Sequence, residues 1–75
     1  MYQETFAEKL KTARKKAGYT QEQVAVETKI NRNTLASYET ARTQPDLETL
    51  GILADFYAVS VDWLLGTQGG NRPRP

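Results

Sequence analysis

The stretch TQEQVAVETKINRNTLASYETARTQPD, residues 20–46, decides the fold of this chain. Its pattern indicates two helices of about eight to ten residues each, joined by a turn of about three residues at 29–31. A capping box at TQEQ, residues 20–23, is expected to start the first helix, and Asn31 is the expected N-cap of the second. Ala25 is small enough to let the two helices approach closely, and Leu35 and Tyr38 lie at the spacing that points one face of the second helix inward. The stretch therefore predicts two packed helices, of which the first supports the second and leaves its outer face free.

The outer face of the second helix is expected to carry short or polar side chains. These side chains belong to Arg32, Asn33, Ala36, Ser37 and Thr40. Arginine can bind guanine through O6 and N7, and asparagine can bind adenine through N6 and N7, so Arg32 and Asn33 suit contacts with base edges. The helix length, about 15 Å, fits one segment of a major groove. The residues therefore favour a helix-turn-helix that binds double-stranded DNA.

Three further helices are expected around this pair. The first has apolar residues at helical spacing, and Thr5 and Glu8 fit a capping box at its start. Pro45 and Asp46 start another helix with a strong apolar stripe, and Ser60 caps a short last one. The predicted helices lie at about 5–17, 20–28, 31–40, 46–57 and 60–65, and they form one all-α domain over residues 1–66. Residues 67–75 contain too few apolar residues to fold and are expected to be a disordered tail or a linker.

The composition excludes several classes of function. The 75 residues include no Cys and no His, which removes disulfides, thiolate metal sites, the commonest metal ligand and the usual general base. We therefore expect no enzyme, no metal and no cofactor. No apolar run approaches the roughly 20 residues of a membrane span, and the polar start MYQE is unlike a signal peptide. A cytoplasmic protein without a membrane partner is expected.

Charge is distributed unevenly along the chain. Residues 9–44 contain eight basic and three acidic residues, a net charge of +5, whereas residues 45–66 contain four acidic residues and no basic one. Only the first of these parts is suited to face phosphate groups.

Beyond these features the sequence resembles the phage-repressor or Xre-type helix-turn-helix regulators over roughly residues 6–66. The resemblance is carried by ARKKAGYTQEQVA at 13–25, NRNTL at 31–35, Tyr38-Glu39, PDLETL at 45–50 and VSVDWLLG at 59–66. It implies a compact five-helix, lambda-repressor-like domain, bacterial or phage-encoded, with the helix-turn-helix at helices 2 and 3. The chain departs from the family pattern at Lys29 and Ala41, where many relatives have Gly. A positive φ at Lys29 would cost about 1 kcal/mol.

The resemblance also implies roles for individual residues. Base edges are expected to be contacted by Arg32, Asn33 and Ser37, and phosphates by Gln21, Thr40, Arg42 and Thr43. Arg14 and Glu39 are expected to form an ion pair that ties the first helix to the end of the third.

The function implied by the resemblance is sequence-specific transcriptional regulation, most simply repression. A homodimer would place two copies of helix 3 about 34 Å apart in the major groove of a pseudo-palindromic operator. An antitoxin or a protein-interaction module with the same fold is the alternative. Trp63 and its apolar neighbours either close the small core or contribute to a dimer surface. A small-molecule or protein effector would act through a C-terminal region that this chain lacks.

Overall fold

The computed structural model describes residues 2–66. Five α-helices follow one another: α1 Tyr2–Ala17, α2 Gln21–Thr28, α3 Arg32–Glu39, α4 Leu47–Tyr57 and α5 Val61–Leu65. Within these residues every regular element is a helix, which confirms the all-α, lambda-repressor-like prediction. None of these helices is long and apolar enough to cross a membrane. The expected tail at 67–75 lies outside the described residues.

The first helix begins earlier than expected. It starts at Tyr2, so Thr5 lies inside α1 and the predicted capping box with Glu8 is wrong. Nothing in the preceding residues breaks a helix, and Glu4 in the first turn complements the helix dipole. Thr5 instead lies close to Gly66, since a β-carbon added to Gly66 would stand 2.7 Å from the Thr5 Cγ2. The threonine therefore packs against the end of α5.

All five helices contribute to one small core. Its buried side chains are Phe6, Leu10, Ala13, Val24, Leu35, Tyr38, Leu53, Ala54, Tyr57 and Leu64. Helix α1 packs against α3, α4 and α5, and α2 packs against α3 and α4. This packing holds α3 from behind.

Each helix from α2 to α5 begins at a side chain that accepts backbone N–H groups. Thr20 and Gln23 form a reciprocal capping box at α2, and Asn31, Asp46 and Ser60 cap α3, α4 and α5. These residues were expected from the sequence to start the helices. Because the caps fix where each helix begins, they also fix which side chains face outward.

Within residues 2–66, three turns contain non-glycine residues with positive φ. Lys29 follows α2 at 63°, Ala41 follows α3 at 62°, and Ala58 follows α4 at 58°. A residue with a β-carbon is strained in this left-handed conformation by about 1 kcal/mol. Lys29 and Ala41 therefore adopt the turn conformation that glycine would adopt, and they lower the stability of the domain by doing so.

Trp63 is half-buried between α5 and α1. The Lys9 ammonium lies 4.7 Å from the centroid of its ring, within the range of a cation–π interaction. The ring packs against the buried core, so Trp63 closes the α1–α5 side of the domain.

Candidate DNA-binding surface

Helix α3 has a buried face and an outer face. Leu35, Tyr38 and Glu39 are buried, with exposed fractions of 1%, 7% and 5%. Arg32 and Asn33 are exposed at the start of the helix. Because its inner face is fully covered, the helix has one orientation in the domain and presents one defined surface.

The remaining outer residues of α3 have short side chains. Ala36 and Ser37 are half-buried, and Thr40 is exposed at the C-terminal end. No long apolar side chain projects from this face among the described residues. A duplex could therefore approach the α3 backbone closely.

The start of α3 is held by Asn31. Its side-chain Oδ1 accepts the backbone N–H groups of Asn33 at 2.8 Å and Thr34 at 3.4 Å. Asn31 is thereby turned toward its own helix. Within residues 2–66 neither Arg32 nor Asn33 has a side-chain hydrogen bond or ion pair, so both side chains remain available to a ligand.

Arg14 and Glu39 form a two-pronged ion pair between α1 and α3. Arg14 Nε donates to Glu39 Oε2 at 2.8 Å, and Arg14 Nη2 donates to Oε1 at 3.0 Å. A third donor, Nη1, reaches the carbonyl oxygen of Tyr19 at 2.9 Å. The hydrogen bond to Glu39 raises the pKa of Arg14, although desolvation by burial opposes the rise. The pair is nearly enclosed, with side-chain exposures of 13% and 2%.

Gln21 joins this pair at the first residue of α2. Its amide nitrogen Nε2 donates to Glu39 Oε1 at 3.1 Å. One side-chain N–H is therefore engaged inside the protein, and the second N–H is the donor left for an external acceptor. Glu39 thus connects α1, α2 and α3 at one point, a link that sequence reasoning missed because Gln21 and Glu39 are eighteen positions apart.

The Tyr57 hydroxyl lies beside the same cluster. Tyr57 is 8% exposed, and its hydroxyl is buried without a hydrogen-bond partner among the described residues. Burial raises the pKa of Tyr57 to about 12; the Glu39 charge adds to the rise, and Arg14 opposes it. No pattern in the sequence indicates that the Tyr57 hydroxyl approaches the ion pair.

The chain leaves α3 through a fixed turn. The backbone N–H groups of Arg42 and Thr43 donate to the Ser37 carbonyl oxygen at 2.9 and 3.4 Å, across Ala41 with its positive φ. Arg42 and Thr43 are both exposed immediately after the helix. The turn therefore places a positive charge and a hydroxyl next to the end of the outer face.

The Thr40 hydroxyl is engaged within the helix. Its Oγ1 donates toward the carbonyl oxygens of Ala36 at 2.9 Å and Ser37 at 3.3 Å. Donation to a phosphate would require the hydroxyl to leave both carbonyls. The geometry is therefore less favourable for the expected phosphate contact at Thr40 than for those at Arg42 and Thr43.

The described residues contain no cluster of acidic side chains suited to a metal ion. The surface around α3 carries the cationic groups of Arg32 and Arg42, the amide of Asn33 and the hydroxyl groups of Ser37 and Thr43. Such groups bind phosphates and base edges.

A helix-turn-helix family model matches residues 10–64, which cover all of α2 and α3. The chain belongs to the Xre-type helix-turn-helix family. The match confirms the prediction of a DNA-binding helix-turn-helix of the transcription-regulator type.

Curated relatives support this assignment. The HTH-type transcriptional regulator ImmR of Bacillus subtilis (strain 168) is 45% identical over 62 residues, which are 83% of this chain and 49% of ImmR. A regulator from the same strain, the SPbeta prophage-derived, uncharacterized YonR, is 40% identical over 60 residues, 80% of this chain and 56% of YonR. The HTH-type transcriptional activator BcrR of Enterococcus faecalis is 33% identical over 60 residues, 80% of this chain and 29% of BcrR.

The chain spans about half the length of ImmR and YonR. These relatives are transcriptional regulators, a non-enzymatic family. What the similarity covers is the helix-turn-helix domain.

Proposed function

We propose that this chain is the DNA-binding domain of a sequence-specific transcriptional repressor, which binds a pseudo-palindromic operator as a homodimer with α3 in the major groove. The observation that carries the proposal is the arrangement of α3. Arg32 and Asn33 are exposed and unengaged within residues 2–66, while Leu35, Tyr38 and Glu39 lock the opposite face. A rigid helix with free hydrogen-bonding groups at its start is the geometry that groove entry requires.

Three side chains are proposed to contact base edges. Arg32 suits guanine and Asn33 suits adenine, each through two hydrogen bonds. Ser37 lies one turn later on the same face, and its hydroxyl can donate to or accept from a base. Discrimination between sequences therefore rests mainly on the first turn of α3.

Phosphate contacts are proposed on both sides of the groove. Gln21 has one side-chain N–H left after its bond to Glu39, and it stands at the N-terminus of α2, where partial positive charge favours an anion. Arg42 and Thr43 are exposed past the end of α3. The proposed phosphate contact of Thr40 requires its hydroxyl to exchange partners.

Repression is the simplest outcome of such binding, because a domain in the major groove excludes other proteins from the same segment of DNA. BcrR is named an activator, so activation by this chain is the alternative to repression. A reporter gene with the operator placed over the promoter tests the sign: repression lowers expression when the chain is present, and activation raises it.

The homodimer is proposed from the two-fold symmetry of operators, whose half-sites lie about 34 Å apart. Leu47, Val26 and Ile52 are exposed by 86%, 71% and 42% and offer apolar surface for a protein contact.

The same exposure favours the second candidate, an antitoxin or protein-interaction module. An effector would bind outside the matched helix-turn-helix domain. A role on chromosomal DNA would place the protein in the bacterial cytoplasm.

Selection from a random duplex library, followed by titration against salt, tests the proposal. A two-fold symmetric site is expected, with log affinity falling linearly with log salt concentration because phosphate contacts release counterions. Recovery of no site, together with no binding at low salt, would contradict DNA binding and support the protein-interaction module.

A further inference from the structure

The second turn of α3 presents methyl groups beside the Ser37 hydroxyl, whereas the first turn presents the hydrogen-bonding groups of Arg32 and Asn33. Ala36 lies four residues after Arg32 and four before Thr40, so the three side chains form one stripe along the helix. The Thr40 hydroxyl is engaged by the carbonyl oxygens of Ala36 and Ser37. What Thr40 offers an external ligand without breaking these bonds is its methyl group.

A thymine methyl group is the base-edge feature that fits such a surface. In the major groove thymine carries the C5 methyl, and alanine and the threonine methyl group contact it without a hydrogen bond. Cytosine has only a hydrogen at C5 and an amino donor at C4, and Ala36 has no side-chain acceptor for that donor. Because Ala36 is short, the base edge can come close to the helix.

We propose that Ala36 and the methyl group of Thr40 contact thymine methyl groups, so that the second turn of α3 selects A·T pairs. This inference rests on the proposed function and adds the class of base that this turn selects. It uses the methyl group of Thr40 while the hydroxyl keeps its two carbonyl partners, so it does not depend on the proposed phosphate contact of that hydroxyl. The first turn selects by hydrogen bonds, and the second adds methyl contacts beside the proposed hydrogen bond of Ser37.

Replacement of thymine by uracil isolates this contact, because it removes only the methyl group. The probe is the duplex recovered by selection, with each thymine replaced in turn by deoxyuridine. Its affinity for the chain is measured by fluorescence anisotropy at fixed salt concentration. The loss of one buried methyl contact corresponds to about fourfold weaker binding at each contacted thymine.

Matched variants assign the loss to individual side chains. Ala36→Gly removes the Ala36 methyl group; Thr40→Ser removes the Thr40 methyl group and keeps the hydroxyl; Thr40→Val keeps a methyl group and removes the hydroxyl. The uracil penalty at one position is expected to vanish in Ala36→Gly. A penalty at the same or a neighbouring position is expected to vanish in Thr40→Ser and to persist in Thr40→Val. Each penalty compares two duplexes on one protein, so differences in folding cancel.

Other outcomes have distinct meanings. A selected site at which uracil costs nothing, or penalties that survive both Ala36→Gly and Thr40→Ser, would overturn the inference and leave the proposed function standing. A penalty lost in Thr40→Val but kept in Thr40→Ser would overturn the role of the Thr40 methyl group. Recovery of no enriched duplex would overturn the proposed function and this inference with it.

Discussion

Removal of the Glu39 charge is expected to destabilise the domain strongly. In Glu39→Gln the side chain keeps its size, but the Arg14 guanidinium loses the carboxylate that receives two of its N–H groups at 2.8 and 3.0 Å. Breaking a buried ion pair on one side costs about 3–5 kcal/mol. Because Arg14 is 13% exposed and keeps its hydrogen bond to the Tyr19 carbonyl, we expect a smaller loss of about 2–3 kcal/mol, at and just below the lower end of that range.

Urea denaturation followed by circular dichroism measures this loss. For a domain of this size about 2 kcal/mol lowers Tm by about 8–16 °C. The matched control is the double variant Arg14→Met/Glu39→Leu, which replaces both charges with apolar side chains. It is expected to recover much of the loss, since no charge is then left buried alone. A Glu39→Gln protein within about 0.5 kcal/mol of the wild type would refute the reasoning, because surface substitutions alone produce changes of that size.

Three further predictions concern stability. Tyr57→Phe is expected to raise the free energy of unfolding by about 1 kcal/mol, since it removes a buried hydroxyl without a hydrogen-bond partner among the described residues; lower stability in thermal denaturation would show that the hydroxyl is bonded. Ala58→Gly is expected to raise the free energy of unfolding by about 0.5 kcal/mol, because glycine relieves the strain at φ 58°. Gly66→Ala is expected to lower it, because a β-carbon at φ 74° is strained and would collide with the Thr5 side chain. Equal effects of the two substitutions in chemical denaturation would contradict this. The hydrogen bonds with Thr49 lower the pKa of Asp46 in the folded protein. The ionised Asp46 therefore stabilises α4 fully above the pKa of an unfolded aspartate, about 3.9, and this stabilisation is lost as the pH falls through the lower pKa of the folded state. Asp46→Ala should therefore lower stability at pH 6 more than at pH 2, and a pH-independent difference would count against the cap.

Local patterns were sufficient to predict the helix-turn-helix. The caps at Thr20 and Asn31 and the inward residues Leu35 and Tyr38 are short-range features, and the structure contains all four in those places. The start of α1 was predicted wrongly because Thr5 has the same cap signature but follows residues that continue the helix.

The polar contacts across helices could not be predicted from local patterns. The bond from Gln21 to Glu39 and the approach of Tyr57 to that carboxylate join residues far apart in the chain. The Thr40 hydroxyl could serve a phosphate or its own helix, and only the local geometry shows that it donates to the Ala36 carbonyl. Such choices depend on packing, which sets which acceptor lies nearest.

The central claim, that the outer face of α3 contacts base edges, is tested most directly by Arg32→Ala on a set of duplexes that carry each single base-pair substitution of the selected site. The account predicts a loss of about 1–3 kcal/mol in binding on the selected site, with base preference relaxed at one base pair in each half-site and retained elsewhere. A loss equal on all duplexes would mean that Arg32 contacts only phosphates. No loss on any duplex would contradict the placement of α3 in the groove.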